Sequence, residues 1–131
     1  MTRRTSPLTR QADLPGHSLG VALGSDADSL ARRLVSADKR IRLENSFDEP
    51  VQVLAALHAA QIDAALVDNV VALTAVQDNP DLHILQPALT LEPYVIAMPP
   101  QAFQLQSEVN RILKQLQTEG FMEALNRRWL R

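Results

Sequence analysis

Between residues 17 and 85, short apolar runs alternate with stretches of helical periodicity, and this alternation constrains the fold more than any other feature of the chain. The run His17 to Leu23 is entered through Pro15-Gly16, reads as a strand, and passes directly into Gly24-Ser25-Asp26, where a helix can start. Ser25 or Asp26 can cap that helix, whose apolar face comprises Ala27, Leu30, Ala31 and Leu34. Arg40 to Glu44 alternates Ile41 and Leu43 with charge, the pattern of a second strand. Asp48 stands as N-cap to a helix with apolar positions at Val51, Leu54, Ala55, His58 and Ile62. Asp63 to Val67 is the next strand. Val70 to Val76 is a third helix, stopped by Asp78-Asn79-Pro80, and Leu82 to Leu85 is a further strand. Strands joined through helices imply right-handed crossovers, so the class is α/β with a mostly parallel sheet flanked by helices.

Beyond Pro87 the pattern changes. Tyr94 to Met98 reads as a single strand, and two helices follow with no strand between them. Leu105, Val109, Ile112, Leu113 and Leu116 form a stripe that ends at Gly120, a natural helix stop, and Phe121, Met122, Leu125 and Trp129 form a second stripe. The expected organisation is a hinge or crossover segment over 1–12, an α/β lobe over 13–90, and a return strand with two C-terminal helices over 91–131.

Composition removes several function classes. A chain of 131 residues with 46% apolar and 21% charged positions is built like one globular domain and can bury a core without staples. Zero cysteines exclude a disulfide scaffold, a thiol nucleophile and cysteine-ligated metal. Thirteen basic residues against fifteen acidic, a net charge of −2, argue against nucleic acid as a partner. No apolar run reaches the length of a membrane span. Arginines at 3, 4 and 10 are followed by no apolar stretch of a secretory signal, so the chain as written is expected in the cytoplasm.

Few residues suggest reaction chemistry. His17, His58 and His83 lie far apart with no carboxylate at ligand spacing, so no metal site is expected. Glycines 16, 20 and 24 are spaced by four and fit neither the dinucleotide loop nor the phosphate loop, so no cofactor is expected either. Serines 25, 46 and 107 have no adjacent histidine to act as base, and no catalytic residue is assigned. Two places are more informative, because both stand at the carboxyl ends of expected parallel strands, where open α/β sheets bind ligands. At Gly24-Ser25-Asp26, free N–H groups and a helix dipole offer an anion site; the same residues also make an ordinary capped turn. At the end of the strand 63–67, Asp68 can pair with an ammonium group or cap the helix that starts at Asn69.

Taken in order, these segments resemble the type-2 periplasmic solute-binding proteins of polar amino-acid ABC transporters, the extracellular solute-binding family 3. Residues 13–25, DLPGHSLGVALGS, are similar to the family's "DLkGkkvGVqxGT" opening of lobe 2, and residues 62–68, IDAALVD, to its "vDAvvxD" strand. The ending is similar too: Tyr94 to Met98, Leu105 to Asn110, Gly120 and Arg128-Trp129-Leu130 follow the order of the family's tail. The resemblance covers about residues 13 to 130. It implies a two-lobed periplasmic receptor, in which Gly24, Ser25 and Asp26 receive the ligand's α-carboxylate and Asp68 holds its α-ammonium. One departure is Asp26, where the family commonly carries threonine or serine. A carboxylate there would repel a ligand carboxylate or favour a cationic side chain, unless it caps its own helix from outside the cleft.

Relative to that family the chain is expected to be truncated, holding lobe 2 and the C-terminal helices without most of lobe 1 or its clamp arginine. The apolar stripes at 105–116 and 121–129 then call for a partner: a second copy by domain swapping, a separate lobe-1 chain, or lobe 2 in a rearranged packing. Half a cleft binds a polar amino acid or similar zwitterion weakly, and the resemblance implies an ABC permease as a further partner. A ligand-sensing or protein-interaction module of a signalling receptor is the alternative with the same fold, and no enzyme is expected.

Overall fold

The computed structural model describes residues 1–91 and 93–129. They divide into two compact units, Met1–Ala88 and Leu89–Arg131. The first holds strands β1 (Thr2–Arg3), β2 (Ser18–Ala22), β3 (Arg42–Phe47), β4 (Ala64–Ala65) and β5 (Leu82–His83), with helices α1 (Asp26–Ala37), α2 (Pro50–His58) and α3 (Asn69–Asp78). The second holds α4 (Phe103–Thr118) and α5 (Phe121–Trp129), which pack on each other.

The strands form one sheet in the order β3-β2-β4-β1-β5. β2 runs parallel to both β3 and β4, while β1 runs antiparallel to β4 and β5. Four strands therefore share a direction, as the βα alternation requires. The two-residue β1 was not expected as a sheet member at this place. It is too short to show a period, and its partners are Ala64, Leu82 and His83, far away in sequence.

β2 is buried at every position, which is why it reads as an apolar run rather than an alternation. Leu19 and Val21 point to one face and join Leu14, Ala31, Ile41 and Ala64. Ala22 points to the other and joins Val53, Ala56, Leu57, Ile62, Ala65 and Leu82. Helices thus cover both faces. α1 behaves as its sequence indicates, with Ser25 as N-cap and Ala31 fully buried.

α2 departs from the expectation. Its buried residues are Val53, Ala56 and Leu57, whereas Val51 is exposed and Ile62 lies beyond the helix, in the core. The segment carries two apolar stripes, one through 51, 54 and 55 and one through 53, 56 and 57, so periodicity alone could not choose between them. Pro50 also begins the helix two residues after Asp48; Glu49 takes the cap position, and Gln52 Oε1 accepts the backbone N–H of Asp48 (2.7 Å) and of Glu49 (3.2 Å). The strand expected over Tyr94 to Met98 does not form. Pro87, Pro93, Pro99 and Pro100 surround it, each removing an N–H donor and constraining the residue before it. α4 stops at Gly120 as its sequence indicates, and neither α4 nor α5 contains a buried residue.

The packing of α2 on β2 depends on Gly20. A Cβ there would collide with Ile62 Cδ1 and press on Val53 Cγ1 at 3.2 Å. Both neighbours are in the core, so neither can swing into solvent. Gly20→Ala is expected to lower stability by about 1–3 kcal/mol, seen as a lower urea midpoint at unchanged slope. A midpoint equal to or above that of the parent chain would refute this close approach.

Candidate functional site

The turn from β2 to α1 is built from Gly24 and Ser25. Leu23 N–H still donates to Phe47 O (2.8 Å), and Gly24 at φ +74° then turns the chain, a conformation that favours glycine. Ser25 Oγ accepts the N–H of Asp28 (3.1 Å) and donates to Ala22 O (2.7 Å). Ser25, not Asp26, is the cap. Asp26 is exposed in the first turn of α1. The Gly24 N–H donates to Asp28 Oδ2 (3.1 Å), so this amide is already taken by a carboxylate of the chain. Among the described residues, the N–H groups of Asp26 and Ala27 have no acceptor.

Asp28 is the residue of this turn that sequence reading missed. It is 5% exposed and meets Arg32 at two points, Nε to Oδ1 (3.0 Å) and a terminal nitrogen to Oδ2 (3.2 Å), with Asn45 Nδ2 at 3.3 Å from Oδ1. Burial is the largest single influence and pushes its carboxyl up. The hydrogen bonds from Gly24, Arg32 and Asn45, with the guanidinium charge, outweigh it and hold the group below the usual carboxylate range. Two spacings carried this signal: Ser25 to Asp28 is that of a capping box, and Asp28 to Arg32 is one helical turn. Asn45 comes from a bulge in β3. Gly20 pairs with Glu44 but Ala22 with Phe47, leaving one extra residue at 45–46.

Asp68 follows β4 and occupies the N-cap position of α3, yet its side chain makes no capping bond. The capping alternative is therefore not realised. The carboxylate is exposed and joins no ion pair among the described residues. β2 and β4 are neighbours in parallel register, Leu19 beside Ala64 and Gly20 beside Ala65, and Leu66 N–H continues the ladder to Gly20 O (3.0 Å). Both sequence-selected segments therefore leave the same edge of the sheet, from adjacent strands. That edge is an open surface. Two shallow depressions of the first unit, of about 480 and 320 Å³, do not include Gly24, Ser25, Asp26 or Asp68: one runs from the end of β3 at Phe47 along Gln52 and Ala55, the other lies beside Pro15, Leu34 and Ile41.

The opposite edge has its own carboxylate. Asp63 Oδ2 accepts the Ser18 N–H (2.8 Å) and hydroxyl (3.0 Å), with His17 Nδ1 at 3.4 Å and Arg42 at 3.6 Å. The Ser18 amide is the main cause that keeps Asp63 low, against a smaller opposing effect of burial. This cluster ties together the starts of β2, β3 and β4. His17 thus has a structural role, and His58 Nδ1 lies 2.8 Å from Asn79 Nδ2.

A depressed carboxyl stabilises the fold above its unfolded value, 3.8 for Asp63, and that contribution is lost as pH falls through the folded value. The urea midpoint is therefore expected to fall as pH is lowered from about 6 to about 3, and to fall less in Asp63→Asn. An equally steep acid limb in that variant would count against the cluster.

No family model matches the sequence. Over 118 residues the chain is 28% identical to the L-cystine-binding protein TcyJ of Escherichia coli K12, a match that takes in 89% of this chain and 43% of that protein. An ancestral arginine-binding protein solved with arginine superimposes with a TM-score of 0.70 at 25% identity, covering 99% of this chain and 57% of the other. In sequence and fold the chain is similar to solute-binding proteins of family 3, to which these proteins belong. The crystal structure of domain 2 from TmArgBP narrows this relationship: TM-score 0.57, 27% identity, 69% of this chain and 95% of that domain. The chain thus spans less than half of the curated solute-binding relative it matches, but nearly all of a solved second domain.

Proposed function

We propose that this chain supplies the lobe-2 wall of an amino-acid receptor that works outside the cytoplasmic membrane, hands its ligand to an ABC permease and catalyses no reaction. The observation that carries the reading is the shared sheet edge, where unpaired N–H groups at Asp26 and Ala27 and the unpaired carboxylate of Asp68 leave neighbouring strands. An amino-acid zwitterion requires such a pairing of a donor-rich helix end with an anion. In this reading Gly24 and Ser25 shape the turn, the amides of Asp26 and Ala27 receive the α-carboxylate, and Asp68 holds the α-ammonium. The ligand is a polar amino acid, the class to which cystine and arginine, named for the relatives, both belong.

Gly24, Asp26 and Asp68 are all exposed, so this wall alone excludes little water and binds weakly. The opposing wall comes from further polypeptide, either another segment or chain of lobe-1 type or a second copy of this chain. Native mass spectrometry with a pool of amino acids reports stoichiometry and bound mass together. An amino-acid adduct is the expected result. Asp68→Ala is expected to abolish any amino-acid-induced rise in melting temperature; an undiminished rise would remove Asp68 from the site.

A further inference from the structure

The Asp28 carboxylate lies in the first turn of α1, the same helix end that the binding reading assigns to a ligand carboxylate. A buried anion there opposes a second anion, unless its charge is cancelled. Arg32 is the only cation bonded to it among the described residues, and it binds both carboxylate oxygens. Asn45 completes the shell without adding charge. By taking the Gly24 N–H, Asp28 also holds the turn so that the next donors, at Asp26 and Ala27, stay unpaired. From this arrangement we infer that Asp28 and Arg32 form a positioning pair that sets the selectivity of the turn for a carboxylate: Asp28 fixes the donors, and Arg32 cancels the charge that fixing them introduces.

This inference rests on the receptor reading, and its test separates the two. NMR titrations compare L-cystine, L-arginine and L-glutamine with the α-amide of each, on the full chain and on two variants. The parent chain is expected to prefer the acid over the amide. Arg32→Gln keeps one N–H donor at the depth of Nε but loses the terminal nitrogen and the positive charge, leaving the Asp28 charge uncancelled. It is expected to weaken acid binding by about three- to tenfold, with little change for the amide. The double variant Asp28→Asn with Arg32→Gln is neutral again, and its acid-to-amide ratio is expected to return toward that of the parent. A merely structural pair would lower stability in both variants without moving that ratio. If the parent chain binds and Arg32→Gln leaves the ratio unchanged, or the double variant fails to restore it, the pair's role is overturned while the receptor reading stands. If the parent chain takes up none of the six probes, the receptor reading fails and the selectivity claim falls with it. The Gly24 amide resonance checks the contact itself: its pH inflection is expected to rise in Arg32→Gln, and coincident curves would overturn the pairing.

Discussion

The close contact of Gly20 with Val53 and Ile62 sets the geometry of the first unit. β2 is covered on both faces, by α1 through Leu19 and Val21 and by α2 beneath Ala22, and only a residue without a side chain lets the second layer come this near. Once β2 is clamped, the position of its exit is settled. Gly24 and Ser25 follow within three residues, and β4, hydrogen-bonded alongside, brings Asp68 to the same edge. An edge of this kind needs little machinery of its own, because the strands that deliver it are held by apolar packing beneath it.

The two edges of the sheet handle their buried or half-buried carboxylates differently. At the amino edge, Asp63 is met mainly by a neutral amide and hydroxyl from Ser18, with His17 and Arg42 more distant, and the result is a fixed joint between strands. At the carboxyl edge, Asp28 is satisfied just as fully, but Asp26 and Asp68 are left exposed and unpaired. Asp26 and Asp68 thus stand at the edge where open parallel sheets generally receive ligands.

Much of this was legible because it is local. The Ser25 cap, the α1 face, the parallel strands and the stop at Gly120 each follow from residues a few positions apart. The phase of α2 was not legible, since that helix is apolar on two stripes and the sheet, through Gly20, selects one of them. Tyr94 to Met98 has strand-like composition but is hemmed in by prolines. Asp28 escaped notice because a charged residue among alanines and serines reads as a solvated position; its burial depends on Asn45 arriving from a bulge in another strand. The two candidate segments were placed correctly at strand ends, whereas the competing capping role of Asp68 could be settled only by the side-chain geometry.

β1 has a consequence for how the unit is assembled. Thr2 and Arg3 lie between β4 and β5, and Arg3 reaches further, donating to the carbonyls of Leu57 (2.6 Å) and Ile62 (2.9 Å) at the end of α2. β1 thus has one partner made by residue 65 and another made only by residue 83. During synthesis, β2, β3 and α1 can pair as soon as residue 47 has emerged, but the sheet gains its last partners only with Leu82 and His83. The order in which partners become available is therefore β1 with β4 and the end of α2 first, and β5, with the α3 that precedes it, last.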